Sequence, residues 1–168
     1  RIHDRIVLLE EPFDDPRDQD VSDLSVRVAA DESLERIEDL NTRREQGYGA
    51  MVIKPAGKTL SLAFQMAKAS TESGMPCFVA DNACVPLLLE WNKNVGARLP
   101  VFPGLQGGLI ESNGPENYGN WTELLGEFPI PNAPWLKPQE GSFVLDDDYY
   151  RRSGGIFEDP VVYSRLFD

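Results

Sequence analysis

Histidine and cysteine are scarce in this sequence. Its 168 residues include one histidine, His3, and two cysteines, Cys77 and Cys84. Two cysteines are too few for a disulfide framework, and no CxxC pair is present. We therefore expect both cysteines to be free, partly buried thiols in a protein of the reducing cytoplasm.

Positive charge is also in short supply. Lys and Arg total 16 against 28 Asp and Glu, which gives a formal net charge of −12. Nucleic-acid binding depends on clustered Lys and Arg, so the composition argues against a nucleic-acid partner. The excess acid fits either an acidic, water-exposed surface or a cation site, and composition does not decide between them.

Long apolar runs are missing too. No run approaches the about 18 residues that a membrane-spanning helix needs, so no membrane partner is expected. The hydrophobic fraction of 41% and the charged fraction of 26% are typical of a globular protein. The length suffices for one ordinary domain with a sizeable core.

Short apolar runs alternate with segments of helical periodicity. The runs occupy residues 6–9, 26–30, 50–53 and 77–80, with a weaker fifth at 108–110, and helices are predicted over residues 34–47, 58–73 and 84–97. The apolar runs are continuous rather than alternating, which indicates strands of a parallel sheet covered on both faces. The helices between them supply the crossovers that parallel strands require.

Each predicted strand ends in a charged residue. These residues are Glu10, Asp31, Lys54, Asp81 and Glu111, separated by 21, 23, 27 and 30 positions. A (β/α)₈ barrel of roughly 250 residues spends about 31 residues per unit, and the carboxyl ends of its strands meet at one rim, where active sites lie. Five such units correspond to part of a barrel.

These strand-end residues have two interpretations. Strand ends are often charged simply because they emerge into water, but five in succession favour a shared site. Carboxylates that face one point suit an oxygen-preferring cation, Mg²⁺ most simply. A lysine beside such a cation would have its pKa lowered by the neighbouring positive charge, and it could then accept a proton.

Several ordered segments carry a resemblance to a known family. LLEEPF, VAADES, EQGYGAMVIKPAG and AKASTESGMPCFVAD follow one another with the spacing of four barrel strands, and GGLIESNG is a looser fifth match. In this order they resemble the enolase superfamily, in its mandelate racemase and muconate lactonizing enzyme division. The resemblance covers about residues 5 to 113 and places these segments at the fourth to eighth strands of the barrel.

The resemblance implies a fold class and a division of the chain. The expected fold is α/β, the C-terminal portion of a (β/α)₈ TIM-type barrel with about five parallel strands and crossover helices. The barrel part is placed at residues 1–114. Residues 115–168, rich in Pro, Gly and aromatic residues, are expected to form an irregular extension that packs on the barrel or on a capping domain.

The resemblance also implies a role for each residue at the strand ends. Glu10 and Asp31 would be Mg²⁺ ligands, Lys54 would be the general acid or base, and Asp81 and Glu111 would contact the substrate. Glu11 and Glu32 would lie beside the metal ligands without binding the ion. Such enzymes remove a proton from the carbon next to a carboxylate, and the metal ion stabilises the resulting anion.

One departure from the family narrows the expected reaction. The racemases and acid-sugar dehydratases that use a histidine carry it at the seventh strand, where this sequence has Ala80-Asp81-Asn82, and His3 precedes the first strand. The expected activity is therefore that of the lysine-dependent branch, which contains cycloisomerases, N-acylamino-acid racemases, dipeptide epimerases and o-succinylbenzoate synthases. A dehydratase of the same superfamily and a non-catalytic barrel that serves as a binding module are the alternatives.

The family also implies partners for this chain. Its third metal ligand and second lysine come from earlier barrel strands, so we expect the missing N-terminal half of the barrel and a capping domain to be supplied by the same or another chain. The expected substrate is a small carboxylate, and the assembly is expected to be a homo-oligomer. The sequence identifies neither the substrate nor the number of subunits.

Overall fold

A parallel sheet organises the first two-thirds of the chain. The computed structural model describes residues 2–15, 18–81 and 84–160. Its strands pair in chain order, each with the next, and all the pairs are parallel. They are β1 (Leu9–Glu10), β2 (Val28–Ala30), β3 (Ala50–Ile53) and β4 (Cys77–Val79).

The central strands are short apolar runs buried on both faces. Every residue of β2, β3 and β4 is buried. Residues such as Met51 and Ile53 pack outward with the helices, whereas Val52 and Phe78 belong to a second cluster on the other face. Two covered faces explain why these strands lack polar alternation.

Three helices accompany the sheet, and their ends follow local sequence signals. They are α1 (Ile37–Glu45), α2 (Leu60–Glu72) and α3 (Pro86–Gly96). The Thr59 side chain caps α2 by accepting a hydrogen bond from the Leu62 amide at 3.3 Å. Pro86 occupies the first turn of α3, where its missing N–H is tolerated. Helices α1 and α2 supply the crossovers from β2 to β3 and from β3 to β4.

Two predicted strands are shorter in the structure. Only Leu9–Glu10 of the first run pairs with β2, and the fifth run is reduced to a single parallel bridge between Val79 and Ile110. Both segments lie at an edge of the described sheet, where one side has no neighbouring strand to extend the ladder. The expected partial barrel of about five strands is thus confirmed in the described part of the chain, with four strands and a single parallel bridge at the position of the fifth.

The second face of the sheet is only partly covered. Its buried residues include Ala29, Ala50 and Phe102, and Leu8 and Leu109 pack against them while partly exposed. A groove of about 500 Å³ opens beside Leu8, Phe78 and Leu109. This is the face that would point into a closed barrel.

The extension contains short helices rather than only irregular chain. These are α4 (Gly114–Asn117), α5 (Trp121–Gly126) and α6 (Asp147–Arg152), with 3₁₀ turns at Pro134–Leu136 and Ser153–Gly155. They enclose a separate apolar cluster around Trp135 and Tyr149, whose rings meet edge to face at 5.6 Å. Lys93 of α3 donates a hydrogen bond to the Trp135 carbonyl at 2.7 Å, which ties the extension to the helix layer.

Candidate functional site

The strand ends bring most of the predicted site residues to one edge of the sheet. Glu10 is the last residue of β1, and Asp31 and Lys54 directly follow β2 and β3. Asp81 comes two residues after β4, and Glu111 follows the bridge residue Ile110. Because the strands are parallel, all five positions lie at their carboxyl ends.

Lys54 joins two acids that come from the neighbouring strand end. Its Nζ lies 2.8 Å from Asp31 Oδ2 and 3.1 Å from Glu32 Oε1. The side chain of Asp31 is 4% exposed and that of Glu32 is 70% exposed, so the bond to Asp31 is the better shielded of the two. Burial alone lowers the pKa of Lys54, but its hydrogen bonds to these acids and their negative charges outweigh burial and raise the pKa above its ordinary value.

Glu10 faces an excess of negative charge. Burial, then the charges of Asp31 and Glu111, raise the pKa of Glu10 to about 7, and the charge of Lys54 only partly offsets this. The two acids that act on Glu10, Asp31 and Glu111, come from two other strand ends. One lysine is too little positive charge to keep such a group fully ionised near neutrality.

Asp31 carries a buried oxygen that has no donor. Burial raises the pKa of Asp31 to about 6, although the hydrogen bond and the charge of Lys54 lower it. Oδ2 binds Lys54, whereas Oδ1 is buried and finds no hydrogen-bond partner in the described ranges. A buried carboxylate oxygen without a donor can accept a proton or a cation.

Glu11, the second acid of the Glu10-Glu11 pair, forms hydrogen bonds with the loop that follows β2. Its Oε2 accepts the Asp31 amide and lies 3.0 Å from the donating Ser33 hydroxyl. The Glu11 backbone has φ 32°, in the left-handed region that non-glycine residues rarely adopt. Glu11 therefore bonds the backbone at Asp31, whereas the carboxylate of Glu10 interacts with the acids Asp31 and Glu111.

Asp81 and Glu111 are less closely tied to the central acids. The Asp81 carboxylate packs against Gly57, where an added Cβ would lie 3.1 Å from Oδ2. Its charge also helps to raise the pKa of Cys84, after burial, to about 11. Glu111 is exposed and accepts a 3.4 Å hydrogen bond from Asn113 Nδ2. Asn82 and the side chain of His3 lie outside the described part of the chain.

Sequence reasoning missed Lys58 as a member of this region. Its Nζ donates a hydrogen bond to the Leu34 carbonyl, in the loop that carries Asp31 and Glu32. Burial lowers the pKa of Lys58, and the nearby charges include those of Asp31 and Lys54. Its amide also bonds the Lys54 carbonyl at 2.9 Å, so one turn of chain places both lysines beside the same loop.

The donor set fits a hard divalent cation but is incomplete. Glu10 and Asp31 supply oxygen ligands of the type that Mg²⁺ prefers, and Asp31 Oδ1 has no other partner among the described residues. Within residues 2–15, 18–81 and 84–160, no group of three or more His, Cys, Asp or Glu side chains could hold a metal ion. A third ligand would have to come from elsewhere.

Comparison with known proteins supports the fold. No protein-family model and no curated protein sequence matches the chain. Among solved structures, it is similar to a mandelate racemase/muconate lactonizing protein from Herpetosiphon aurantiacus, with 23% sequence identity and a TM-score of 0.54. The match covers 66% of this chain and 31% of that one, so this chain spans about a third of its length.

The chain has the fold of a partial (β/α)₈ barrel. The likeness and the four parallel strands with their helices agree on this point. At 23% identity the likeness extends to the fold alone. No helix in the described part of the chain is long and apolar enough to cross a membrane.

Proposed function

We propose that this chain forms part of a Mg²⁺-dependent isomerase of the enolase superfamily, in its mandelate racemase and muconate lactonizing enzyme division. The reaction would be a racemisation, epimerisation or cycloisomerisation that begins with removal of the proton next to a carboxylate. The observation that carries the proposal is the approach of Glu10, Asp31 and Lys54 from three adjacent strand ends. The fold likeness agrees with it.

Glu10 and Asp31 are the residues that would hold the metal ion. Glu10 has a pKa raised to about 7, and Asp31 has a buried oxygen without a donor, so both carboxylates would be stabilised by added positive charge. When bound, Mg²⁺ supplies Lewis-acid stabilisation of the charge that develops on the substrate carboxylate.

Lys54 is the residue that would move the proton. As an ammonium it is held by Asp31 and Glu32, which raise its pKa. If the ion pairs of Lys54 with Asp31 and Glu32 were weakened, burial would lower the pKa of Lys54. The neutral Nζ of Lys54 could then accept the proton from the substrate carbon. The ammonium formed in this way would return a proton in a later step, and Asp81 and Glu111 would contact the rest of the substrate.

The site would be completed by barrel strands outside this chain. A third metal ligand and a second lysine are expected from them, and the partly uncovered face of the sheet would be closed by the same strands. They belong either to the same protein or to a partner, and the whole assembly is proposed to be a homo-oligomer. The chemistry of the site suits a small carboxylate as substrate.

Hydrogen exchange at the substrate carbon tests this proposal. The full-length protein is incubated with Mg²⁺ and a panel of small carboxylates in D₂O, and deuterium at the α-carbon is followed by NMR. Incorporation without loss of water is expected, and Lys54→Met should abolish it. Lys68→Met is the matched control, because Lys68 is an exposed lysine of α2 that pairs only weakly with Glu72 at 3.8 Å.

Two other outcomes would replace the proposal. Formation of a keto product with loss of water would identify a dehydratase of the same superfamily. A carboxylate that binds without any exchange or product would favour the non-catalytic binding module. In either case the isomerase assignment would be withdrawn.

A further inference from the structure

The Glu10-Glu11 pair sends its two carboxylates to different partners. Glu10 interacts with Asp31, Glu111 and Lys54, whereas Glu11 bonds the backbone of the loop after β2. We propose that Glu11 is a positioning residue, which holds the Asp31 carboxylate opposite Glu10 by binding the backbone amide of Asp31. This inference rests on the proposed function, because it assumes that Glu10 and Asp31 act together.

Glu11 is bonded to the neighbouring strand through both its backbone and its side chain. Its amide donates to the Ala29 carbonyl at 3.0 Å, which continues the ladder between β1 and β2. Its Oε2 accepts the amide of Asp31, the Ser33 amide at 3.4 Å and the Ser33 hydroxyl at 3.0 Å. One carboxylate oxygen thus binds both ends of the segment from Asp31 to Ser33.

The backbone conformation of Glu11 is consistent with these hydrogen bonds to the neighbouring strand. With φ at 32°, the residue adopts the left-handed region, where a Cβ is disfavoured. Such a conformation persists only where surrounding bonds enforce it. Here the enforcing bonds are those of the Glu11 amide and carboxylate to the adjacent strand end.

A second contact holds the same loop from the opposite side. Lys58, which follows β3, donates to the Leu34 carbonyl. Glu11 therefore takes amide donors near the start of the loop, and Lys58 binds a carbonyl at its end. The Glu11 bonds to Asp31 and Ser33 and the Lys58 bond to Leu34 thus hold the loop on both sides of Glu32, and we infer that they fix how the loop presents its two acids to Glu10 and Lys54.

The inference is tested first without metal, by amide hydrogen exchange in the full-length protein. Glu11→Ala should accelerate exchange at the amides of Asp31 and Ser33, because both lose their acceptor. Glu11→Gln keeps the size of the side chain and a neutral acceptor, so it should produce a smaller effect. Glu38→Gln is the matched control, since Glu38 lies exposed in the first turn of α1 and should leave both amides unchanged.

Mg²⁺ affinity, measured by calorimetry on the same proteins, is the second readout. Residues that orient metal ligands typically change affinity by about 10- to 100-fold when removed, and we expect Glu11→Ala to weaken binding within this range with a smaller loss in Glu11→Gln. The unfolding midpoint is recorded in parallel. A lower midpoint with unchanged affinity and unchanged amide exchange would show a purely structural role and overturn the inference.

Variants of the proposed ligands separate the two proposals. If Glu10→Gln and Asp31→Asn weaken Mg²⁺ binding but the Glu11 variants do not, the positioning role is wrong and the metal site stands. If Glu10→Gln and Asp31→Asn leave binding unchanged, the ligand assignment of the proposed function fails. The exchange rates at Asp31 and Ser33 then still report whether Glu11 holds the loop: acceleration supports the anchoring, and unchanged rates overturn it.

Discussion

At the scale of single residues, the strand-end acids differ in environment more than their sequence context suggests. Glu10 and Asp31 are surrounded by like charge and low solvent access, and their pKa values rise to about 7 and about 6. Glu32 is mostly exposed, and its hydrogen bond to Lys54 holds its pKa below the usual range although burial opposes this. At the strand ends, the two acids whose pKa is raised are therefore those proposed to bind the cation.

Gly57 offers a test of how Asp81 is positioned. A Cβ at this position would lie 3.1 and 3.2 Å from the two carboxylate oxygens of Asp81, so Gly57→Ala should displace that carboxylate by a few tenths of an ångström. If Asp81 contacts the substrate, KM should rise roughly threefold with less change in kcat, because binding is affected more than chemistry. Steady-state kinetics of the full-length enzyme provide the measurement.

Gly119→Ala is the matched control for this substitution. Among the described residues, and apart from its chain neighbours, no atom lies within 4 Å of the Cβ position of Gly119, so Gly119→Ala should leave KM and kcat unchanged. An unchanged KM in Gly57→Ala would remove Asp81 from the substrate contacts.

At the scale of elements, α3 carries a buried ion pair that faces the extension. Glu90 and Lys93 are 1% and 2% exposed and bond each other. Lys93 also lies 4.1 Å from the centroid of the Phe143 ring, and a Cβ on Gly154 would approach Glu90 Oε2 to 2.9 Å. Charged side chains of a surface helix are thus enclosed by the extension.

This pair predicts a pH dependence of stability. Burial raises the pKa of Glu90 from 4.5 to about 7, although the charge and hydrogen bond of Lys93 oppose it. The folded state then holds the proton more tightly than the unfolded state, so the stabilisation is complete below pH 4.5 and is lost as the pH rises through 7. The expected loss is about 3 kcal/mol at about 1.4 kcal/mol per pH unit.

Urea unfolding of the full-length protein between pH 5 and 8 measures this dependence. The raised pKa values of Glu10 and Asp31 also lower the free energy of unfolding as the pH rises. The wild type is therefore compared with Glu90→Gln, in which the pH dependence of the free energy of unfolding should be weaker by the contribution of Glu90 alone. Glu123→Gln, an exposed acid on α5, should leave the slope intact. Identical slopes in the wild type and Glu90→Gln would contradict the assignment.

A comparison of predicted and observed strand bounds shows which strands the sequence pattern is sufficient to predict. Residues 50–53 were predicted as a strand and form β3 over the same range, because all four side chains are buried and the pattern is unambiguous. The run at 6–9 forms a strand only at Leu9–Glu10. An apolar run indicates burial, but backbone pairing also requires a neighbour, and its presence cannot be read from the run itself.

At the scale of the whole molecule, one face of the sheet is only partly covered, beside β1. Ile6 and Val7, which precede β1 and line the groove, are 38% and 40% exposed, and Leu105 of the same groove is 36% exposed. Exposed apolar surface next to an unpaired strand edge favours association. In the assembly proposed above, further barrel strands would cover this surface.

Separate expression of residues 1–168 tests this view. We expect this chain alone to self-associate and to bind a hydrophobic dye, because the groove and both sheet edges are accessible. The full-length protein should bind the dye weakly and form a defined oligomer, as analytical ultracentrifugation can establish. A monomeric 168-residue chain without dye binding would show that the open face needs no further strands.

Sequence patterns alone were enough to locate the central strands β2, β3 and β4 and the charged residues that follow the strands. Continuous apolar runs report burial on both faces, and parallel strands necessarily end at one edge, so Glu10, Asp31 and Lys54 could be placed together before any coordinates were known. Only the folded structure shows that Glu11 bonds the amides of Asp31 and Ser33 and that Glu90 is enclosed by the extension. These depend on contacts between segments distant in sequence, whose relative positions no local pattern encodes.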